Sequence, residues 1–197
     1  DASSAHRIAE GWTYGFPEMD KGHRATITGA GRVTNPGCYA TGAIALLRPL
    51  VAAGLVPPTY PLTINAVSGY SGGGKQLIAA FEDPSSPNAT TDNFRLYAMG
   101  VVQKHIAEIQ VHSALGIRPL FIPSVGRFAQ GMLVSIPLQL WAMERHPTLE
   151  ALQSVLAEHY AGEHFVTVQP LEETLEIGLA SSLDARNPEP EGLNDTN

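Results

Sequence analysis

The single cysteine of this chain, Cys38, lies in the stretch Asn35-Pro36-Gly37-Cys38-Tyr39-Ala40-Thr41-Gly42, where a polar loop runs into an apolar segment. Asparagine is a favoured helix N-cap, and proline is tolerated at the first helical position because its missing N–H would be unpaired there anyway. With Asn35 as cap and Pro36 as first residue, Cys38 falls in the first turn. Free backbone N–H groups and the positive end of the helix dipole favour an anion at such a place. A thiol that titrates near ~8.5 when free can fall to about 3.5–7.5 in this setting, which makes a nucleophilic thiolate available at neutral pH. The same N–H groups can receive the oxyanion formed when a thiolate attacks a carbonyl. A lone cysteine is also often a small buried hydrophobe, and spacing alone leaves both readings open.

A thiolate of this kind needs a proton partner, and Lys104-His105-Ile106-Ala107-Glu108-Ile109 offers His105, whose side chain titrates near neutrality. The competing reading is an ordinary surface histidine on a helix. His112, His146, His159 and His164 show no metal-ligand spacing and read as surface residues, so no metal is indicated. Gly69-Tyr70-Ser71-Gly72-Gly73-Gly74-Lys75-Gln76 nearly fits the phosphate-cradling pattern G-x-x-x-x-G-K-[ST]. Gln76 stands where the hydroxyl that holds Mg²⁺ is required, which disfavours a nucleoside-triphosphate site. Glycines there still suit a close approach of backbone to a ligand.

Composition limits what these residues can serve. The 197 residues are 44% hydrophobic and 16% charged, the balance of an ordinary globular domain. One cysteine excludes an intramolecular disulfide framework, no apolar run approaches the ~20 residues that span a bilayer, and DASSAHRIAE has no signal-peptide pattern, so the expected location is cytoplasmic. The net charge of -7 is concentrated in residues 171–197, where seven acidic side chains face Arg186 alone. The remainder is nearly neutral and has no basic stripe to track a phosphate backbone, which argues against nucleic acid.

The elements that must position these residues alternate along the chain. Residues 25–34 read as a short strand, followed by a helix through CYATGAIALLRPLVAA in which Pro49 should kink or end the run. PLTINAVSG reads as a strand and Lys75–Phe81 as a helix, after which DPSSPNATTDN is a polar loop. FRLYAMGV reads as a strand and KHIAEIQVHSAL as a helix. RPLFIPSV and QGMLVSIPLQLW read as two longer strands able to pair as neighbours. Thr148 should cap a helix ended by Gly162, and HFVTVQP, with clean alternation, reads as a further strand. Strands grouped with helices on one face suggest an α+β domain.

NPGCYATG, NAVSGYSGGGK, KHIAEI and PSVGRFAQGM, in this order, resemble the short-form N-acetyl-γ-glutamyl-phosphate reductases of arginine biosynthesis, relatives of the aspartate-semialdehyde dehydrogenases. DASSAHR and WTYGFPEM are similar to the segment that closes the family's cofactor domain. The resemblance extends to about residue 170 and implies a mixed, largely antiparallel sheet with helices on one face, like the C-terminal catalytic domain of glyceraldehyde-3-phosphate dehydrogenase. It divides the chain into the end of a cofactor domain (1–34), a catalytic and dimerisation domain (35–170), and an acidic connection into a further C-terminal part (171–197).

By the same resemblance Cys38 takes the nucleophile's place and His105 that of the acid-base, with Ala107 where the family usually has proline and Glu108 in register. Asn35, Asn65, Ser68 and Gly69 would line the acyl and nicotinamide site, and Arg127 or Gln130 would engage the substrate's carboxylate or phosphate. The implied reaction reduces an acyl phosphate through a cysteine thioester with NADP(H), in a homodimer or homotetramer. The resemblance further implies that the dinucleotide is bound mainly by a half preceding Asp1, because Gly29 and Gly31 lack the strand-turn-helix setting of a dinucleotide loop, and that the isolated chain is inactive. An aminoadipyl or aspartyl phosphate reductase and a non-catalytic interaction domain remain the alternatives.

Overall fold

The computed structural model describes residues 5–100 and 103–173. In chain order its elements are β1 (Thr13–Tyr14), α1 (His23–Thr28), β2 (Val33–Thr34), α2 (Cys38–Ala52), β3 (Thr63–Gly69), α3 (Gly74–Glu82), β4 (Phe94–Leu96), α4 (Lys104–His112), β5 (Leu120–Gly126), β6 (Met132–Ser135) and α5 (Leu149–His159). β1 and β2 pair parallel as a small separate ribbon, and the main sheet runs β4-β5-β3-β6. Its central pair, β3 with β5, is parallel, while both flanking pairs are antiparallel. The fold is therefore α+β with a mixed sheet, as expected.

α2 is the centre of the core. Ala43, Ile44, Leu47, Leu50 and Val51 recur at helical spacing and are buried, and the helix packs against α4, α5 and β6. Its approach to β6 is close enough that a Cβ on Gly42 would meet the Val134 side chain at 2.9 Å. From the sheet, Ile64, Ala66 and Phe121 enter the same core, joined by Ile106 and Ile109 of α4. The opposite sheet face is bare: Phe94, Leu96 and Leu120 are 57%, 48% and 45% exposed.

Several expected elements are corrected. Residues 25–34 hold only the two-residue strand β2. Thr26, Ile27 and Thr28, whose β-branched content suggested strand, complete α1, launched by Gly22 in the left-handed region (φ 84°) and anchored by His23 Nε2 on the Tyr14 carbonyl at 2.7 Å. Local propensity is a weak prior and such tertiary contacts override it. Pro49 does not end α2, which continues to Ala52. The carbonyl that Pro49 cannot serve, that of Ala45, accepts instead from the Tyr160 hydroxyl at 2.7 Å.

β4 stops at Leu96 because the next residue, Tyr97, faces Pro123 of β5, which accepts the Tyr97 N–H at 3.3 Å but has no N–H to return, and the chain turns at Ala98 (φ 50°). β5 and β6 are not neighbours; β3 lies between them, and the second half of QGMLVSIPLQLW leaves the sheet for a 3-10 turn at Leu140–Ala142. Residues 164–170 form no strand, because alternation needs a partner edge and none is paired to them. Thr148 caps α5 as expected, accepting from the Ala151 N–H at 3.2 Å, and Gly162 (φ 83°) follows the helix end. The acidic segment 171–197 lies outside the described residues from 174 onward.

Candidate active site

Two helix N-termini meet at the site. Cys38 is the first residue of α2, while Lys104 and His105 open α4. The α2 cap is Gly37, two residues later than Asn35, and no side chain of its own segment caps it. The cap comes from α4 instead: Glu108, 1% exposed, accepts the Gly37 N–H at 2.7 Å. The Tyr14 hydroxyl donates to the same oxygen, Oε1, at 2.8 Å, whereas Arg7 Nη1 stands 3.4 Å from Oε2 and His105 Nδ1 3.5 Å from Oε2. That last contact is an ion pair rather than an aligned hydrogen bond, and among the described residues Nδ1 has no hydrogen-bond partner.

Burial raises the Glu108 pKa, but His105, the Gly37 N–H, Tyr14 and Arg7 outweigh it and hold the carboxyl below its ordinary value. Burial likewise pushes the Cys38 thiol up, and hydrogen bonding to His105, the charges of His105 and Lys104, and the Tyr39 N–H bring it below the ordinary value. For His105, burial favours the neutral ring, whereas Cys38 and Glu108 favour the cation and prevail, raising its pKa. His105 interacts with both Glu108, through Nδ1, and the Cys38 thiol. The chain of groups is thus carboxylate, imidazole, thiol, in which each charge supports the next. Gly37 is part of the fit, since a Cβ there would come within 2.8 Å of Glu108 Oε2 and closer still to the His105 ring. Its N–H is taken by Glu108, so of the N–H groups expected to face an anion it is Tyr39's that reaches Cys38.

The thiol opens on a cleft of about 740 Å³. Sheet register builds its floor: Arg95 pairs with Val125, Val125 with Ser68, and Ser68 with Met132, and all four side chains line the cleft. Tyr39 Oη sits above this row, donating to the Ser124 carbonyl at 2.8 Å and lying 2.9 Å from Ser68 Oγ. Gly72, Gly73 and Gly74 at the start of α3 form another wall, beside the buried Ser71 Oγ, which has no hydrogen-bond partner among the described residues. The cleft is lined by Arg7, Arg95, Lys104 and His105 and, among the described residues, by no carboxylate. A second cleft of about 570 Å³, with Phe16, Pro17, Met132 and Phe165 in its walls, also reaches Cys38.

Of the residues singled out from the sequence, the fold gathers Asn35, Cys38, Ser68 and His105 around one cavity. The other four lie outside its lining. Asn65 is exposed on the bare sheet face, and Gly69 is packed so tightly on the 127–131 turn that a Cβ would meet Gln130 N at 2.8 Å. Gln130 is exposed. Arg127 donates to the carbonyls of Thr90 and Asp92 and stacks over Phe81 at 5.0 Å. Sequence reasoning gave no role to Arg7 and Tyr14, although the segments DASSAHR and WTYGFPEM that hold them were singled out, and it missed Arg95 and Tyr97, which carry no motif. It placed Glu108 in register with the family's segment but gave it no role.

His112 and His159, expected at the surface, are half-buried. His112 stacks on Tyr14 with ring centroids 3.7 Å apart and bonds the Arg7 carbonyl, while His159 bonds that of Glu18. Each pins the 5–20 segment to the helices, whereas His146 and His164 are exposed. Among the described residues no group of three His, Cys, Asp or Glu side chains is arranged to hold a metal, and no helix is long and apolar enough to cross a membrane.

Comparison with known proteins supplies the kinship. Residues 38–183 match the family described as semialdehyde dehydrogenase, dimerisation domain. The chain is 53% identical over 177 residues to the N-acetyl-gamma-glutamyl-phosphate reductase of Brucella anthropi, and equally to that of Brucella ovis, an overlap of 90% of this chain and 57% of either relative. The chain thus spans little more than half the length of the curated relatives it matches. A family match that begins at the thiol and runs through both walls of the cleft makes the chain a member of the semialdehyde dehydrogenase dimerisation-domain family.

Proposed function

We propose that this chain carries the catalytic half of an NADPH-dependent reductase that converts N-acetyl-γ-glutamyl phosphate to N-acetylglutamate semialdehyde in arginine biosynthesis. The observation that carries the reading is the Glu108–His105–Cys38 chain opening on a cleft whose walls, among the described residues, are cationic and not anionic. The 53% identity to relatives named for that reaction supports it.

In the mechanism the Cys38 thiolate attacks the acyl carbon. The C–O bond to phosphate breaks, phosphate leaves with the electron pair, and a thioester remains on Sγ. When bound, NADPH supplies the hydride that reduces this thioester. The Gly72–Gly74 turn and the buried Ser71 Oγ fit the nicotinamide end, since backbone without side chains allows close approach and an unpaired hydroxyl can bond an amide. The resulting hemithioacetal oxyanion sits by the Tyr39 N–H. As the C–S bond breaks and the aldehyde forms, the departing thiolate takes its counter-charge from His105, whose charged form Glu108 favours.

Among the described residues before Cys38, Gly29 and Gly31 form no glycine loop at a strand-to-helix turn of the kind that seats a dinucleotide's pyrophosphate, and the Gly69–Gly74 turn between β3 and α3 is taken by the nicotinamide end. These residues alone are therefore proposed to bind the cofactor weakly and to be inactive in isolation. The bare sheet face of Phe94, Leu96 and Leu120 is proposed to be covered by a second copy.

The test is His105→Asn in the full-length reductase. Turnover should fall about 10²- to 10⁴-fold with the fold intact. Near-normal turnover across the pH range would move the acid-base role elsewhere, and absence of activity toward this acyl phosphate in the unaltered protein would refute the substrate.

A further inference from the structure

The proposed substrate carries two anionic groups, the phosphate at the reacting end and the α-carboxylate at the other, and the cleft has cations to divide between them. Lys104 acts electrostatically on the Cys38 thiol, which places its charge at the reacting end. Arg7 is committed there as well, with Nη1 on Glu108 and Nε donating to the Asn35 carbonyl at 2.9 Å. Arg95 is different. It lies on edge strand β4, two strands along the floor row from Ser68, whose Oγ meets Tyr39 beside the thiol. Two strand spacings are about 10 Å. The four-carbon stretch from the acyl carbon to the α-carboxylate spans about 5 Å when extended, leaving a gap that an arginine side chain closes.

The Arg95 guanidinium is also fixed in advance. Nε bonds Asp92 Oδ2 at 2.8 Å, and Nη2 reaches the same carboxylate at 2.7 Å and Thr90 Oγ1 at 3.1 Å. From behind, Arg127 ties down the carbonyls of Thr90 and Asp92. One side of the fork is thus anchored, and Nη1 bonds no protein atom among the described residues. Strand alternation turns Phe94 and Leu96 to the bare face and Arg95, with Tyr97, into the cleft. A planar fork held on one edge and open on the other is suited to a carboxylate.

We propose that Arg95 is the specificity-determining residue of the cleft, receiving the substrate's α-carboxylate, with Arg127 positioning it through Thr90 and Asp92. The proposal rests on the functional reading above. Its test runs the reaction backward in the full-length reductase, with phosphate and NADP⁺, on two aldehydes: N-acetylglutamate semialdehyde and 4-acetamidobutanal, which lacks only the α-carboxylate. Arg95→Gln should cut the preference in kcat/KM for the carboxylate-bearing aldehyde by about 10- to 100-fold, mostly through its KM, and Arg95→Lys should restore part of it. The KM for phosphate and the rate of Cys38 alkylation should not move, the latter also reporting that the variant is folded.

An unchanged preference overturns the proposal, and so does an equal loss on both aldehydes or a rise confined to the phosphate KM. If the unaltered reductase oxidises neither aldehyde, the functional reading falls and this proposal falls with it. If it oxidises both with no preference, only the carboxylate subsite is refuted.

Discussion

Replacing Gly37 by alanine should disconnect the thiol from its acid-base partner while leaving the fold standing. The backbone at Gly37 (φ -73°, ψ 142°) is ordinary for alanine, so the effect is one of packing alone. The added Cβ would lie 2.5 Å from His105 Cε1 and 2.8 Å from Glu108 Oε2, where ordinary contact begins at 3.4 Å. The ring, whose Nδ1 is closer still, must therefore retreat about 1 Å and the carboxylate about 0.6 Å. Neither has room. Glu108 is held by Gly37, Tyr14 and Arg7, and the His105 ring is set edge-on against Tyr39 and Phe121 with centroids 5.8 and 6.4 Å away.

Overpacking of this size costs about 1–3 kcal/mol, offset by about 0.4–1 kcal/mol from the stiffer unfolded chain. The net loss should be about 1–2 kcal/mol in urea unfolding. A displacement near 1 Å costs roughly 10² in rate when a reacting pair is misaligned. Iodoacetamide alkylation of Cys38 across pH reads the coupling directly in the 197-residue chain. The unaltered protein should react with a midpoint below that of a free thiol, and the variant with a midpoint moved upward. The same midpoint and the same unfolding curve in both proteins would refute the steric reasoning.

Glu108→Gln keeps an acceptor for Gly37 and Tyr14 but removes the charge behind His105. Because the Glu108 pKa is depressed, its stabilisation is present above the ordinary carboxylate pKa and lost as pH falls through the folded value. Because the His105 pKa is raised, its share is present at low pH and lost as pH rises through the folded value. The variant should thus be about 1.5–3 kcal/mol less stable near neutral pH, with the deficit shrinking in acid, and Cys38 should alkylate more slowly at pH 7. A deficit independent of pH would contradict the electrostatic account. Tyr160→Phe should orphan the Ala45 carbonyl that Pro49 leaves unserved, costing about 1–2 kcal/mol in urea unfolding without altering Cys38 alkylation; a neutral result would mean water replaces the hydroxyl. Light scattering should find the chain dimeric and Leu96→Glu shifted toward monomer, and a monomeric parent protein at high concentration would count against the bare sheet face as a contact.

What the sequence determined by itself was local chemistry and kinship. Asn35-Pro36-Gly37-Cys38 places a thiol in the first turn of a helix whichever residue serves as the cap, because proline and glycine exclude the helix before them and the apolar spacing demands it after. His105 and Glu108 stand one turn apart, so a shared face on α4 was implied as soon as that segment read as helical. Thr148 caps α5 through its own backbone three residues on, a contact that no distant element decides. What only the tertiary structure decided depends on contacts far apart in the chain. Glu108 caps α2 across a separation of 71 residues, and Tyr14 reaches the same carboxyl across 94. Sheet order brought Arg95 into the cleft, because β3 inserts between β5 and β6 and aligns Arg95, Val125, Ser68 and Met132 in one row, whereas Arg127, only two positions past Val125, has its guanidinium turned to the Thr90–Asp92 backbone. HFVTVQP shows the same limit from the other side: alternation gives a segment two faces, but a strand exists only where another edge offers the hydrogen bonds, and that pairing is a property of the fold.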